Sequence, residues 1–164
     1  MRERRSHLWE RETNEHYVEP AWCSERLFQV EAFDGAVHDP CCGFGTIPEA
    51  ARRAGLAASA SDLIDRGYRG AGIEDFFASM QQYDNIVCNP PFDRPIFKPF
   101  VLHALKLART KVAVIYRPAQ LNAARWLMEK PLRRVWPAVH AARARRCGRR
   151  EAQERYQGLL LARV

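Results

Sequence analysis

The chain has 164 residues, 47% of them apolar, enough to bury one core without a second domain. No apolar run approaches membrane-spanning length and the charged start Met1-Arg2-Glu3-Arg4-Arg5-Ser6 has no apolar segment behind it, which predicts no span, no secretory leader and a cytoplasmic location. The +7 charge resides in the tail: residues 1–130 carry 17 basic and 17 acidic side chains, whereas residues 131–164 carry nine arginines against Glu151 and Glu154.

Residues 1–15 are charged and aperiodic, and read as a mobile lead-in to a single domain over 16–135. Residues 21–33 then place Trp22, Leu27, Phe28 and Val30 on one helical face, with Pro20 suited to the first turn. A short strand over 36–38 leads into the turn Asp39-Pro40-Cys41-Cys42-Gly43-Phe44-Gly45, and Thr46 is placed to cap a helix that Gly55 stops. Residues 56–61 read as a second strand ending near Asp62, and the glycine-rich segment 67–73 as a weak third, followed by Asp75-Phe76-Phe77. The fourth strand, over 84–88, runs into Asn89-Pro90-Pro91-Phe92. A helix over 96–109, a strand over 111–116 and a helix over 121–129 complete the pattern. Strands alternating with helices predict a mostly parallel sheet covered on both faces.

The five cysteines, Cys23, Cys41, Cys42, Cys88 and Cys147, are odd in number and lack CxxC or zinc-ligand spacing, which suits reduced thiols. The five histidines show no metal spacing, and His38, next to Asp39 on a strand, reads as structural. No metal site is predicted. Arg94, Lys98, Arg117 and Arg125 are candidate phosphate contacts, although isolated surface bases more often contact nothing specific.

Two motifs carry the chemistry. Gly43-Phe44-Gly45 lets backbone N–H groups approach a ligand closely, but the third glycine of a dinucleotide fingerprint is missing, with Ile47-Pro48 in its place. A nicotinamide enzyme is therefore disfavoured, and a plain Gly-rich turn of another α/β protein is the alternative. Asn89-Pro90-Pro91-Phe92 is more specific. Two prolines after a buried-looking strand make a rigid loop at its C-terminal end, where open α/β sheets bind ligands.

In this order the two motifs resemble class I S-adenosylmethionine-dependent methyltransferases, specifically the DNA N6-adenine type of phages and mobile elements. The resemblance spans about residues 17–132. It implies a Rossmann-like α/β fold with S-adenosylmethionine as cofactor, its methionine part held by Asp39 and the turn through Gly43 and Gly45, with Tyr17 and Cys41 also among the cofactor-binding residues. It also implies Asp62 on the ribose, Asp75 near the adenine amino group and Phe76 beside the ring; one of Phe76 and Phe77 is expected to be core. Asn89, Pro90, Pro91 and Phe92 would form the catalytic loop. The Asn89 side-chain oxygen and Pro90 carbonyl accept the target N–H groups, while Phe92 stacks on the base in place of the tyrosine common among relatives. DNA is the leading partner; an RNA base, a protein glutamine, or a remnant retaining only binding are the alternatives.

Beyond residue 135 the family continues with a loop and a closing antiparallel hairpin. This chain offers Ala141-Ala142-Arg143-Ala144-Arg145-Arg146, which favours helix, and a coding frame shifted by one base through the tail can read as the family's loop and last strand. The resulting expectation is a frame lost near Trp136, a missing or degenerate hairpin, and a poorly stable or inactive chain. Leu159-Leu160-Leu161 is the one place where sheet pairing, as a short edge strand, is expected.

Overall fold

The computed structural model describes residues 18–116, 124–138 and 157–163. In chain order it contains α1 (Ala21–Val30), β1 (Val37–Asp39), α2 (Thr46–Arg53), β2 (Ala58–Asp62), β3 (Ala71–Ile73), β4 (Tyr83–Cys88), α3 (Arg94–Leu107), β5 (Ala108–Tyr116), β6 (Leu132–Ala138) and β7 (Gln157–Arg163). Short 3-10 turns at Phe76–Ala78 and Arg125–Glu129 join them. The strands form one sheet in the order β3-β2-β1-β4-β5-β7-β6. The first five are parallel, and β7 runs antiparallel to both β5 and β6.

Period-two alternation in the central strands builds two cores, one on each face of the sheet. Ile86 and Cys88 of β4 and Val112, Val114 and Tyr116 of β5 join Phe97, Phe100, Val101, Ala104 and Leu107 of α3. The intervening Val87, Ala113 and Ile115 join Leu27 of α1 and Ile47 and Ala51 of α2 on the other face. At the N-terminal ends of the strands, fully buried Asn85 donates to the carbonyls of Asp34 and Ala36 and accepts from the Thr110 hydroxyl. This hub ties β1, β4 and β5 together at the end opposite the two motifs.

Helix α3 begins at Arg94, two residues earlier than its periodicity predicts, because Pro95 fits a first turn whose N–H groups have no partner within the helix. Residues 125–129 form a 3-10 turn, shorter than the expected 121–129 helix, of which 121–123 lie outside the described residues. The lead-in over 1–15, Arg117 and the expected helical stretch at 141–146 also lie outside them. Among the described residues no helix is long and apolar enough to cross a membrane.

The tail corrects the sequence-based expectation. A closing hairpin is present: β7 pairs with β5 from Lys111↔Arg163 to Tyr116↔Gly158 and with β6 from Leu132↔Ala162 to Ala138↔Gln157. Leu159, Leu160 and Leu161 do enter the sheet, but in an interior strand, and β6 forms the edge. Trp136 is part of this packing. Its indole N–H donates to Glu31 Oε1 at 3.0 Å, and Arg134 Nη1 donates to the same oxygen at 2.7 Å. The expectation of a missing hairpin falls with this geometry.

Glu31 thus latches the C-terminal end of α1 to β6 through a buried carboxylate. Glu31→Ala removes the acceptor of both donors and is expected to lower stability by about 2 kcal/mol. A shift of the urea midpoint at unchanged m would show it.

Candidate active site

The two motifs meet where β1 and β4 end side by side. Their parallel register, Val37↔Asn85 and His38↔Ile86, brings the glycine turn and the Asn-Pro-Pro-Phe loop out at the same end of adjacent strands. A hydrogen bond joins them: the Cys41 thiol donates to the Asn89 main-chain carbonyl at 3.3 Å. The Cys88 thiol alongside, together with burial, holds the Cys41 thiol well above its ordinary pKa, so it stays protonated and able to donate.

Asp39 closes β1 and is 1% exposed, with Oδ1 accepting the Cys41 N–H at 3.2 Å. Burial pushes its carboxyl pKa up, the neighbouring carboxylates of Glu19 and Asp62 add to the rise, and the Cys41 N–H opposes it. Gly43 and Gly45 have φ of 55° and 86°, conformations that a side chain disfavours. Gly45 also has no room for one, because a Cβ there would lie 2.2 Å from the Tyr68 ring. Gly45 is therefore the residue preceding α2, and Thr46, the expected cap, is the first residue of the helix.

Asp62 ends β2 and reaches the turn across the sheet. Its Oδ2 accepts the Gly43 N–H at 2.8 Å, and its Oδ1 accepts the Ile64 N–H at 3.1 Å with Arg66 at 3.8 Å. Asp62, Cys42 and Gly43 line a cavity of about 240 Å³, whose other walls are the loop after β2 and the residues of β3. Asp75 is exposed at the start of a 3-10 turn, where it accepts the Phe77 N–H at 3.0 Å. Phe76 departs from its expected place. It is 3% exposed and packed against Phe100 and His103, so its ring belongs to the core, whereas Phe77 is 44% exposed. Adjacent residues in such a turn point in different directions, and here the first one faces inward.

On the Asn-Pro-Pro-Phe loop, Pro90 is buried, and Asn89, Pro91 and Phe92 are half-buried. Phe92 packs against both cores and stacks at 29° on Phe97, 6.5 Å between centroids. Tyr17, the remaining predicted ligand residue, lies outside the described residues. His38 is structural: it is stacked on Tyr83 at 3.9 Å, hydrogen-bonded to Ser59 at 2.9 Å, and kept neutral by burial that lowers its pKa to about 4. Lys98 lies over the Trp126 ring, 5.9 Å from its centroid.

Sequence reasoning missed two residues. Tyr68 packs over Gly45, and its hydroxyl donates to Glu49 at 2.7 Å and accepts from Arg52. Glu19, 7% exposed just before α1, accepts from Asn89 Nδ2 at 3.0 Å and from the Thr46 hydroxyl. Burial raises its pKa despite these hydrogen bonds. A Glu-Pro pair at a helix start is common, so nothing in the sequence marks this one as part of a site.

No protein-family profile matches the sequence, and no curated protein matches it significantly. Solved structures match in fold. The M protein of the type I restriction enzyme EcoKI superposes with a TM-score of 0.64 at 14% identity, covering 90% of this chain and 44% of its own. A 1,6-didemethyltoxoflavin N1-methyltransferase of Burkholderia thailandensis, with bound S-adenosylhomocysteine, gives 0.62 at 13%, covering 87% and 77%. Magnesium protoporphyrin IX methyltransferase of Synechocystis PCC 6803, with bound S-adenosylmethionine, gives 0.61 at 14%, covering 87% and 78%. The fold is that of the class I methyltransferases. The antiparallel β7, between β5 and β6, completes the sheet.

Proposed function

We propose that this chain transfers a methyl group from S-adenosylmethionine to a planar amino nitrogen, adenine N6 in DNA. The observation that carries the reading is the hydrogen-bonded junction of the glycine turn and the Asn-Pro-Pro-Phe loop at adjacent strand ends. The cofactor supplies a methyl group on a positively charged sulfur. Glu19, Asp39 and Asp62 cluster at this junction, an anionic cradle suited to a cationic ligand. The ends of β1 and β2 and the Gly43 turn would hold it, with Asp62 on the ribose hydroxyls and Asp75 near the adenine amino group.

An exocyclic amino nitrogen is a poor nucleophile because its lone pair is delocalised into the ring. The Asn89 side-chain oxygen and the Pro90 carbonyl accept its two N–H bonds and draw it towards tetrahedral geometry, which localises the lone pair. The rigid prolines fix the loop backbone, and with it the Pro90 carbonyl, before the target arrives, and Phe92 offers an aromatic face for the base. A base in duplex DNA has to be flipped out first, at a cost of a few kcal/mol. Radiolabelled S-adenosylmethionine offered to DNA, RNA and protein fractions tests the reading. Label in DNA at adenine supports it, label in RNA or protein alone overturns the substrate, and absence of cofactor binding by calorimetry overturns the enzyme.

The acidic cradle gives a pH signature. Glu19 and Asp39 have raised pKa values in the folded protein, so the fold binds more protons than the unfolded chain. Without ligand, stability then falls as pH rises from the ordinary carboxylate values of 4.5 and 3.8 towards the raised ones. A cationic ligand favours the ionised acids, so its affinity rises across the same window. Calorimetry upward in pH from the ordinary carboxylate values is expected to show tighter S-adenosylmethionine binding at the higher pH, with a shallower slope for S-adenosylhomocysteine, which lacks the sulfonium charge. Parallel slopes for the two ligands would count against the cradle.

A further inference from the structure

We propose that Glu19 is a positioning residue that fixes the side-chain amide of Asn89 with its oxygen turned towards the acceptor. The inference rests on the methyl-transfer reading for its consequence, but the contact behind it is independent of that reading. A carboxamide has two nearly isosteric ends, and a loop that must present an acceptor gains nothing from an amide presenting its NH2. An ionised carboxylate has only acceptors. Glu19 Oε2 therefore selects the nitrogen end, 3.0 Å away, which leaves the oxygen at the opposite edge of the same amide plane.

Glu19 is itself held. It is 7% exposed, and the Thr46 hydroxyl at the start of α2 donates to it. Thr46 directly follows Gly45, so one carboxylate connects the N-terminal end of α1, the cofactor turn and the catalytic loop. Asp39, Cys23 and Cys42 are the other titratable groups that influence, or are influenced by, its charge. None of them can replace it as the acceptor for Asn89 Nδ2, because it already occupies that position.

The test has one arm without catalysis and one with it. In the full chain labelled with 15N, the Asn89 side-chain NH2 is expected to exchange slowly with solvent, and Glu19→Ala to accelerate that exchange at least about tenfold. Unchanged exchange overturns the proposal whether or not the protein transfers methyl groups. In the transfer assay, Glu19→Ala is expected to lower kcat about 100-fold with acceptor KM and S-adenosylhomocysteine affinity little changed, and Glu19→Gln to lower it less, since its oxygen can still accept.

A reciprocal swap separates positioning from support of the fold. Asn89→Asp alone sets two carboxylates against each other and is expected to lose most activity. Combined with Glu19→Gln, the amide at position 19 donates to the new carboxylate at position 89, which still offers an oxygen to the acceptor. The double variant is expected to recover at least about tenfold over Asn89→Asp. A double variant no better than Asn89→Asp overturns the proposal. Protected amide protons in a wild-type chain that labels no acceptor would instead uphold the positioning contact and overturn the transfer reading.

Discussion

Asn89→Ala is expected to lower methyl transfer about 1,000-fold while S-adenosylmethionine affinity changes by less than about threefold. The two effects separate because the groups that would hold the cofactor lie on other elements. Asp39 ends β1, Asp62 ends β2, and the Gly43 N–H is bound to Asp62 and not to the catalytic loop. Asn89 stands at the end of β4, and its amide contact is to Glu19. Truncation removes one acceptor for the target amino group and leaves the Pro90 carbonyl on a loop whose prolines still fix the backbone. Single-turnover transfer and calorimetry on the same preparation measure the two quantities. A loss of transfer below about tenfold would mean that Asn89 is not the principal acceptor. Equal losses in transfer and cofactor binding would place Asn89 in the cofactor site instead. Glu19 loses a donor in this variant, so a thermal melt has to accompany the kinetics.

The parallel half of the sheet was legible because its signals are local. Alternation in Ile86-Val87-Cys88 and Val112-Ala113-Val114-Ile115 announces strands covered on both faces, and the structure divides those residues between the two cores as the alternation dictates. The junction of the two motifs was legible for a topological reason, since chemistry in such sheets collects at the C-terminal strand ends. What escaped notice depends on contacts between residues distant in sequence. Glu19 and Asn89 are 70 positions apart, and only the packing of α1 against α2 beside β4 brings them together. Phe76 and Phe77 are equivalent as letters, and which one is buried in the core is settled by the turn that Asp75 caps. The hairpin was misread because the tail was read from its Ala141-Ala142-Arg143-Ala144-Arg145-Arg146 stretch, which favours helix, whereas the paired strands lie on either side of it, at Leu132–Ala138 and Gln157–Arg163. Pro137 lies on β6, the edge, where a missing N–H is tolerated.

Deleting residues 157–164 is expected to abolish cooperative folding, the largest stability effect of any change considered. Strand β7 is bonded on both sides, to Val112 through Tyr116 and to Val135 through Ala138, so its removal breaks two ladders and not one. Strand β5 would then present a long apolar edge, the kind of unpaired strand that recruits other chains. Strand β6 would keep only its Glu31 latch, whose two hydrogen bonds are worth far less than the lost ladders. A milder version is Leu160→Pro, which places a residue without an N–H opposite Val114 and Val135 in the sheet interior and is expected to cost about 3 kcal/mol or more. Urea titration followed by circular dichroism compares both with Glu31→Ala. The expected order of damage is deletion, then Leu160→Pro, then Glu31→Ala, with aggregation in the first. A deleted chain that melts cooperatively at the wild-type midpoint would mean that the parallel half folds without its hairpin. Cofactor binding should follow the same order, because β5 supports β4 along its length and β4 in turn pairs with β1, which ends in Asp39.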